Sequence, residues 1–346
     1  MSKRNFYIRE SEMDDFQRKV LDRRSDSSLI VRGCAGSGKS VIAFWRLHDI
    51  VSNNRGSAQI IVFTKSLKDY FVEGCRGAGI DSGLIDYWHN WKSNPRRTDY
   101  ILVDEAQDFS EKSIKKFSSY AIKALLLYGD SSQQLYGFRR DDPPINMDEI
   151  QRVTEFPVEQ LVFNHRLPKT IARVAECVNA EKDDLVNRCK HEGDEKPYVL
   201  KYSSFDEQLD AIIRIIEQRQ LDDVGILFPK NDQVRDAARI LNEKNLEVEA
   251  KYNANDQQDY NNLNFATTNP KVMTYHSAKG LQFGAVFLPA CDSLNLERFC
   301  EPFYVALTRS YQSLYVLYSG HLPGIFQEMP QELYESDLSG RKTEVL

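Results

Sequence analysis

Gly33-Cys34-Ala35-Gly36-Ser37-Gly38-Lys39-Ser40 is the stretch whose reading decides the fold. An apolar run at residues 28–32 precedes it and reads as a strand; a run with helical spacing follows. A glycine, four residues and then Gly-Lys-Ser between strand and helix is the pattern of a phosphate-binding loop. Glycines there let backbone N–H groups curl around phosphate oxygens without a Cβ in the way. Gly33, Ala35, Gly36, Ser37 and Gly38 are the expected cradle, Lys39 the group that reaches the β- and γ-phosphates, and Ser40 a hydroxyl ligand for Mg²⁺. The competing reading is a Gly-rich turn with a chance lysine.

Downstream, Ile101-Leu102-Val103-Asp104-Glu105 is an apolar strand ending in two acids. Such a pair is commonplace by itself. Placed after a phosphate loop, it suits triphosphate hydrolysis, with Asp104 on the metal and Glu105 as general base toward water. Further candidate strands lie at 59–64, 100–103 and 124–128, then at 224–228, 246–251, 272–275, 285–288 and 314–318. Helical patterns cover 206–219 and 231–245, so the alternation predicts an α/β protein. Residues 141–144 and the stretch after them read as an inter-domain connection, while 181–196 and 253–270 read as surface loops.

The length of 346 residues favours two domains, since single cores rarely exceed about 250–300 residues. A hydrophobic fraction of 41% suffices for two cores. No run approaches the roughly 18 apolar residues of a membrane span, and the N-terminus lacks a signal-peptide core. The expectation is a cytoplasmic protein with no membrane partner. With 45 basic and 51 acidic residues the net charge is −6, which does not advertise a nucleic-acid binder but leaves room for a basic groove. The six cysteines form no CxxC pair, so a zinc ribbon is not expected and reduced thiols are.

In order along the chain, the motifs resemble those of the UvrD/Rep-like superfamily I DNA helicases. Asp104-Glu105-Ala106-Gln107-Asp108 resembles motif II, residues 129–139 (GDSSQQLYGFR) motif III, 161–166 (LVFNHR) motif IV, 274–283 (TYHSAKGLQF) motif V and 304–309 (YVALTR) motif VI. Gln17 lies where the family's adenine-reading glutamine lies, and Phe63 and Thr64 fit motif Ia. The resemblance implies two tandem RecA-like P-loop NTPase domains with mainly parallel sheets, expected at 1–158 and 159–325 with a tail at 326–346. It implies ATP and Mg²⁺ as cofactors, with ATP bound between the domains. Gln133 would bridge the γ-phosphate and the DNA side, and Arg166 and Arg309 would be arginine fingers. Phe63, Tyr136 and Phe138 would stack on single-strand bases, with Thr64 on the same track, although aromatics near strands are more often core. His276 would couple the nucleotide to the DNA, or serve only in structure.

Two positions depart from the family. His165 stands where a tyrosine commonly stacks on adenine, and Gln282 where a glutamate commonly contacts the sugar. The family also inserts a large subdomain between motifs Ia and II and another before motif V. Here those places hold only residues 67–100 and 253–270. The expected function is an ATP-dependent helicase or translocase on single-stranded or tailed DNA, 3′ to 5′, working with a partner such as a nuclease in DNA repair or antiviral defence. The rival is an ATP-gated DNA-binding subunit of a nuclease complex that does not unwind.

Overall fold

The computed structural model describes residues 10–24, 26–130, 142–178, 184–253, 259–293 and 296–338. They form two compact units, one spanning residues 3–165 and the other 166–346 with the first two residues.

The first unit runs α1 (Asp15–Asp22), β1 (Leu29–Gly33), α2 (Lys39–Ser52), β2 (Ala58–Val62), α3 (Lys65–Ala78), β3 (Ile85–Tyr87), α4 (Trp88–Ser93), β4 (Thr98–Val103), α5 (Glu111–Tyr120), β5 (Ala121–Gly129), α6 (Met147–Thr154) and β6 (Val158–Leu161). Its sheet is ordered β3-β2-β4-β5-β1-β6, with every pair parallel. Parallel strands need their side chains covered on both faces, which is why β2 and β4 read as continuous apolar runs. Ile61, Ile101, Val103, Leu125 and Leu127 pack with Trp88, Trp91, Phe109 and Phe117 into one aromatic-rich core. Polar ends set the helix starts: Asp14 and Gln17 form a capping box on α1, as Asn146 and Glu149 do on α6.

The second unit runs α7 (Lys169–Val178), α8 (Leu185–Arg188), β7 (Tyr198–Lys201), α9 (Phe205–Arg219), β8 (Val224–Phe228), α10 (Asn231–Glu243), β9 (Glu249–Asn253), β10 (Asp259–Asn261), β11 (Lys271–Thr274), β12 (Phe283–Leu288), α11 (Leu296–Leu307), β13 (Ser310–Tyr318) and α12 (Gly324–Glu328). Its sheet is ordered β10-β9-β11-β8-β12-β13-β7, parallel except for the β9–β10 hairpin. In α9, Leu209, Ile212 and Ile216 recur at helical spacing and meet Val234 and Leu241 of α10 over Ile226, Phe287 and Leu317. Ser204 caps α9 and accepts from the Glu207 amide at 3.2 Å.

Two α/β units, each around a mainly parallel sheet, are the fold class that the sequence predicts. The expected connection at residues 141–144 is corrected. Pro144 bridges to Ser110, and the chain then makes α6 and β6, which pairs with β1, so the first unit continues to His165. The expected loops also hold more structure than their polarity suggests. Within 181–196 the chain forms α8, and Glu195 is drawn to Arg219 at 2.8 Å. Within 253–270 it forms β10, and Tyr260 stacks on Tyr252 at 4.8 Å. No described helix is long and apolar enough to cross a membrane, and no disulfide joins the six cysteines.

The turn between β10 and β11 closes around a buried ion pair. Lys271 Nζ lies 3.0 Å from Glu249 Oε2 and donates to Asn269 O at 2.6 Å and Thr267 Oγ1 at 2.9 Å. Glu249 in turn accepts from the Asn264 amide and the Thr267 hydroxyl. Removing one partner of a buried pair strands the other charge. Glu249→Ala should therefore cost about 3–5 kcal/mol in urea unfolding followed by circular dichroism. A loss below about 1 kcal/mol would show that water reaches Lys271 and that the pair does not hold the turn.

Candidate active site

β1 ends at Gly33 and α2 begins at Lys39, so the intervening turn lies at the carboxyl end of a central parallel strand, where open α/β sheets bind ligands. Two glycines make the turn possible. Gly36 and Gly38 adopt left-handed backbone with φ +74° and +89°. Neither has room for a side chain: a Cβ at Gly36 would fall 2.2 Å from Asn164 Oδ1, and one at Gly38 2.6 Å from Gln17 Nε2. Ala35 and Ser37 are buried in the turn.

Residues outside the turn hold it. Gln17 Nε2 donates to Ser37 O at 3.1 Å, and the His165 amide donates to Gly36 O at 3.1 Å. Asp14 links these two braces. Its Oδ2 lies 2.6 Å from His165 Nε2, its Oδ1 accepts from the Gln17 amide, and its own N–H donates to Gln17 Oε1. Asp14 and Asn164 were not singled out from sequence. The Asp-x-x-Gln spacing of a capping box was the available signal for the first.

Lys39 is buried, and Nζ donates to Gly33 O at 2.7 Å and Cys34 O at 3.0 Å. An ammonium has three protons, so these carbonyls hold it within the turn with one left for a phosphate oxygen. Ser40, the next residue, donates from Oγ to Asp104 Oδ2 at 2.6 Å. Asp104 follows β4 and is buried; burial and the neighbouring Glu105 push its carboxyl up to about 6, against the Ser40 hydrogen bond and Lys39. A hydroxyl and a carboxylate in contact are hard oxygen donors, the set Mg²⁺ takes along with substrate phosphates. Among the described residues no cluster of three or more His, Cys, Asp or Glu forms a self-sufficient metal cage. Ser40 and Asp104 therefore fit a cation shared with a nucleotide.

Glu105 is also buried and sits at φ +54°, a strained backbone for a non-glycine residue. Its Oε2 accepts from Gln107 Nε2 at 2.6 Å, and Gln107 Oε1 accepts from the Asp130 amide at 2.9 Å. Gln107 was quoted from sequence only as part of a motif, and its own contacts were not anticipated. Gln133, Tyr136 and Phe138 lie outside the described residues.

The first unit thus gathers Gln17, the 33–40 turn, Asp104, Glu105 and His165. Phe63 and Thr64 are elsewhere in it. Phe63 is 5% exposed and meets Phe109 edge-on at 5.1 Å, so a stacking role would require it to leave that cluster. Thr64 caps α3 through the Leu67 amide at 3.2 Å. In the second unit, Arg166 and Arg309 converge on Thr308: Arg166 Nη2 donates to its carbonyl at 3.0 Å and Arg309 Nη2 to its hydroxyl at 3.1 Å. Arg309 is 2% exposed and also donates from Nε to Val305 O at 2.9 Å. Gln282 immediately precedes β12 and is half-buried. His276 lies in the turn after β11, its pKa lowered by burial and by Lys279.

Comparison with known proteins matches residues 89–154 to the UvrD/REP helicase N-terminal domain and residues 271–317 to the UvrD-like helicase C-terminal domain. A probable DNA helicase of Mycoplasma pneumoniae is 28% identical over 242 residues, covering 63% of this chain and 43% of that one. The chain thus spans about two fifths of the length of that curated relative. Among solved structures, the arterivirus nonstructural protein 10 helicase is 16% identical with a TM-score of 0.44, covering 87% of this chain and 62% of that one. The PRRSV helicase is 16% identical with a TM-score of 0.47, covering 86% and 53%. The two matched segments fall one in each unit.

Gly36→Ala should weaken binding of a fluorescent ATP analogue at least about tenfold, the equivalent of about 1.4 kcal/mol. The Cβ would enter the buried Asn164 amide while the backbone is forced out of its left-handed turn. An unchanged Kd for Gly36→Ala would mean that the nucleotide does not sit in this turn.

Proposed function

We propose that this UvrD-like helicase chain is an ATP-hydrolysing motor acting on single-stranded or tailed DNA. The observation that carries the reading is the contact of Ser40 with Asp104, 2.6 Å apart beside the buried Lys39. Loop amides and Lys39 would hold the β- and γ-phosphates, and Ser40 and Asp104 the Mg²⁺, which when bound supplies positive charge at those phosphates. Glu105 would take the proton of the attacking water as its oxygen bonds to the γ-phosphorus and ADP leaves. Gln17, His165 and Gln282 would contact the base and sugar. Arg166 and Arg309 would place guanidinium charge on the transferring phosphoryl group, and Gln133 would report its presence. Phe63, Thr64, Tyr136, Phe138 and His276 are the proposed DNA track, with movement 3′ to 5′.

A second reading is an ATP-gated DNA-binding subunit that licenses a partner nuclease, in repair or antiviral defence. One observation favours it. The stretch between β2 and β4 is filled by α3, β3 and α4, and the one before β11 by a short hairpin and the Lys271–Glu249 turn. Neither place holds a subdomain that could grip a duplex.

ATPase and strand displacement on the same 3′-tailed duplex separate these readings. Single-stranded DNA should stimulate hydrolysis, with binding that weakens steeply as salt is added, because contacts to the phosphates release counterions. Arg166→Ala and Arg309→Ala should each lower kcat by about 10³–10⁵ with smaller changes in KM. Unwinding by the chain alone should be poor. Efficient unwinding would contradict the accessory character of the motor, and hydrolysis indifferent to DNA would contradict the motor.

A further inference from the structure

We propose that Gln107 is a positioning residue for Glu105, fixing the carboxylate that receives the proton of the attacking water to the carboxyl end of β5. This rests on the reading of Glu105 as general base. Gln107 is fully buried, and both ends of its amide are engaged: Nε2 on Glu105 Oε2 at 2.6 Å and Oε1 on the Asp130 amide at 2.9 Å. The two partners dictate its orientation, since a backbone N–H needs an acceptor and a carboxylate a donor. The backbone at β5 is shaped to admit it. A Cβ on Gly129 would fall 2.3 Å from Met147 Sδ and 2.7 Å from Gln107 Oε1, so the glycine leaves room for both side chains. Glu105 itself holds a left-handed backbone conformation, which persists where surrounding contacts hold it. A base displaced by about 1 Å loses on the order of 10²-fold in rate without any change in how tightly substrate binds.

Gln107→Glu tests this directly. It keeps the length and the acceptor for the Asp130 amide but turns a carboxylate toward Glu105. Turnover should fall about 100-fold, with KM and the Kd of a fluorescent ATP analogue unchanged within about threefold. Gly129→Ala, which crowds the same amide, should give the same split. Combining Gln107→Glu with Glu105→Gln exchanges donor and acceptor, so the melting temperature should return to the parent's while turnover stays absent. Glu105→Gln alone serves as the control for the underlying reading: if it turns over normally, Glu105 is not the base. If Glu105→Gln is inactive while Gln107→Glu and Gly129→Ala keep near-normal kcat, the positioning role is overturned and the base assignment stands. Losses that appear equally in kcat, nucleotide affinity and melting temperature would make Gln107 a packing residue and also overturn it. Should Gln107→Glu melt below the assay temperature, the kcat and Kd of Gly129→Ala decide.

Discussion

A phosphate loop must point its amides outward at a ligand, and something else must hold the loop while it does so. Here that constraint is met by residues 14, 17 and 165. The Gly36 carbonyl is taken by the His165 amide and the Ser37 carbonyl by Gln17, while the Ser37 amide closes the turn on Cys34 O at 3.2 Å. The remaining carbonyls at Gly33 and Cys34 are taken by Lys39. Positive φ at Gly36 and Gly38 is the geometric consequence. β6 follows from the same need, because pairing β6 with β1 is what carries Asn164 and His165 to the turn.

The acidic side of the site is organised by the order of the strands. β4, β5 and β1 are successive neighbours, so Asp104, Asp130 and the 33–40 turn share one sheet edge. Burying Asp104 and Glu105 side by side is costly, and the rise in the Asp104 pKa expresses that cost. Ser40 and Lys39 favour the charged form. The second unit uses buried charge differently. Lys271 and Glu249 satisfy one another and the polar backbone of a tight turn, so a sequence rich in Asn and Thr still closes onto the sheet.

Much of this was legible in the sequence because the central strands are apolar on both faces. Residues 224–228 form a strand with the bounds read from the pattern, and the strands at 29–33, 98–103 and 283–288 differ from it only at their ends. Edge strands were not legible. β3, β6, β7 and β10 have three or four residues each, too short for a periodic signal, and β6 and β10 contain polar residues. The turn between β1 and α2 and the two acids following β4 were legible because Gly, Lys and Ser at fixed spacing and an apolar run ending in Asp-Glu are local signals. The bracing of His165 by Asp14 was not, because it joins positions about 150 residues apart through the pairing of β6 with β1. The burial of Phe63 beneath Phe109 follows from an aromatic cluster assembled across α4, α5 and β2, which no local window contains.

The account centres on a preformed turn at 33–40 whose amides receive a triphosphate and whose far side is braced by 161–165. Amide hydrogen exchange, with and without a slowly hydrolysed ATP analogue and Mg²⁺, examines that turn directly. The account predicts that peptides covering 33–40 and 161–165 gain protection together on addition of the nucleotide, and that the gain at 33–40 depends on Mg²⁺ in part. Unchanged exchange at 33–40 in saturating nucleotide, or protection confined to other regions of the chain, would contradict it.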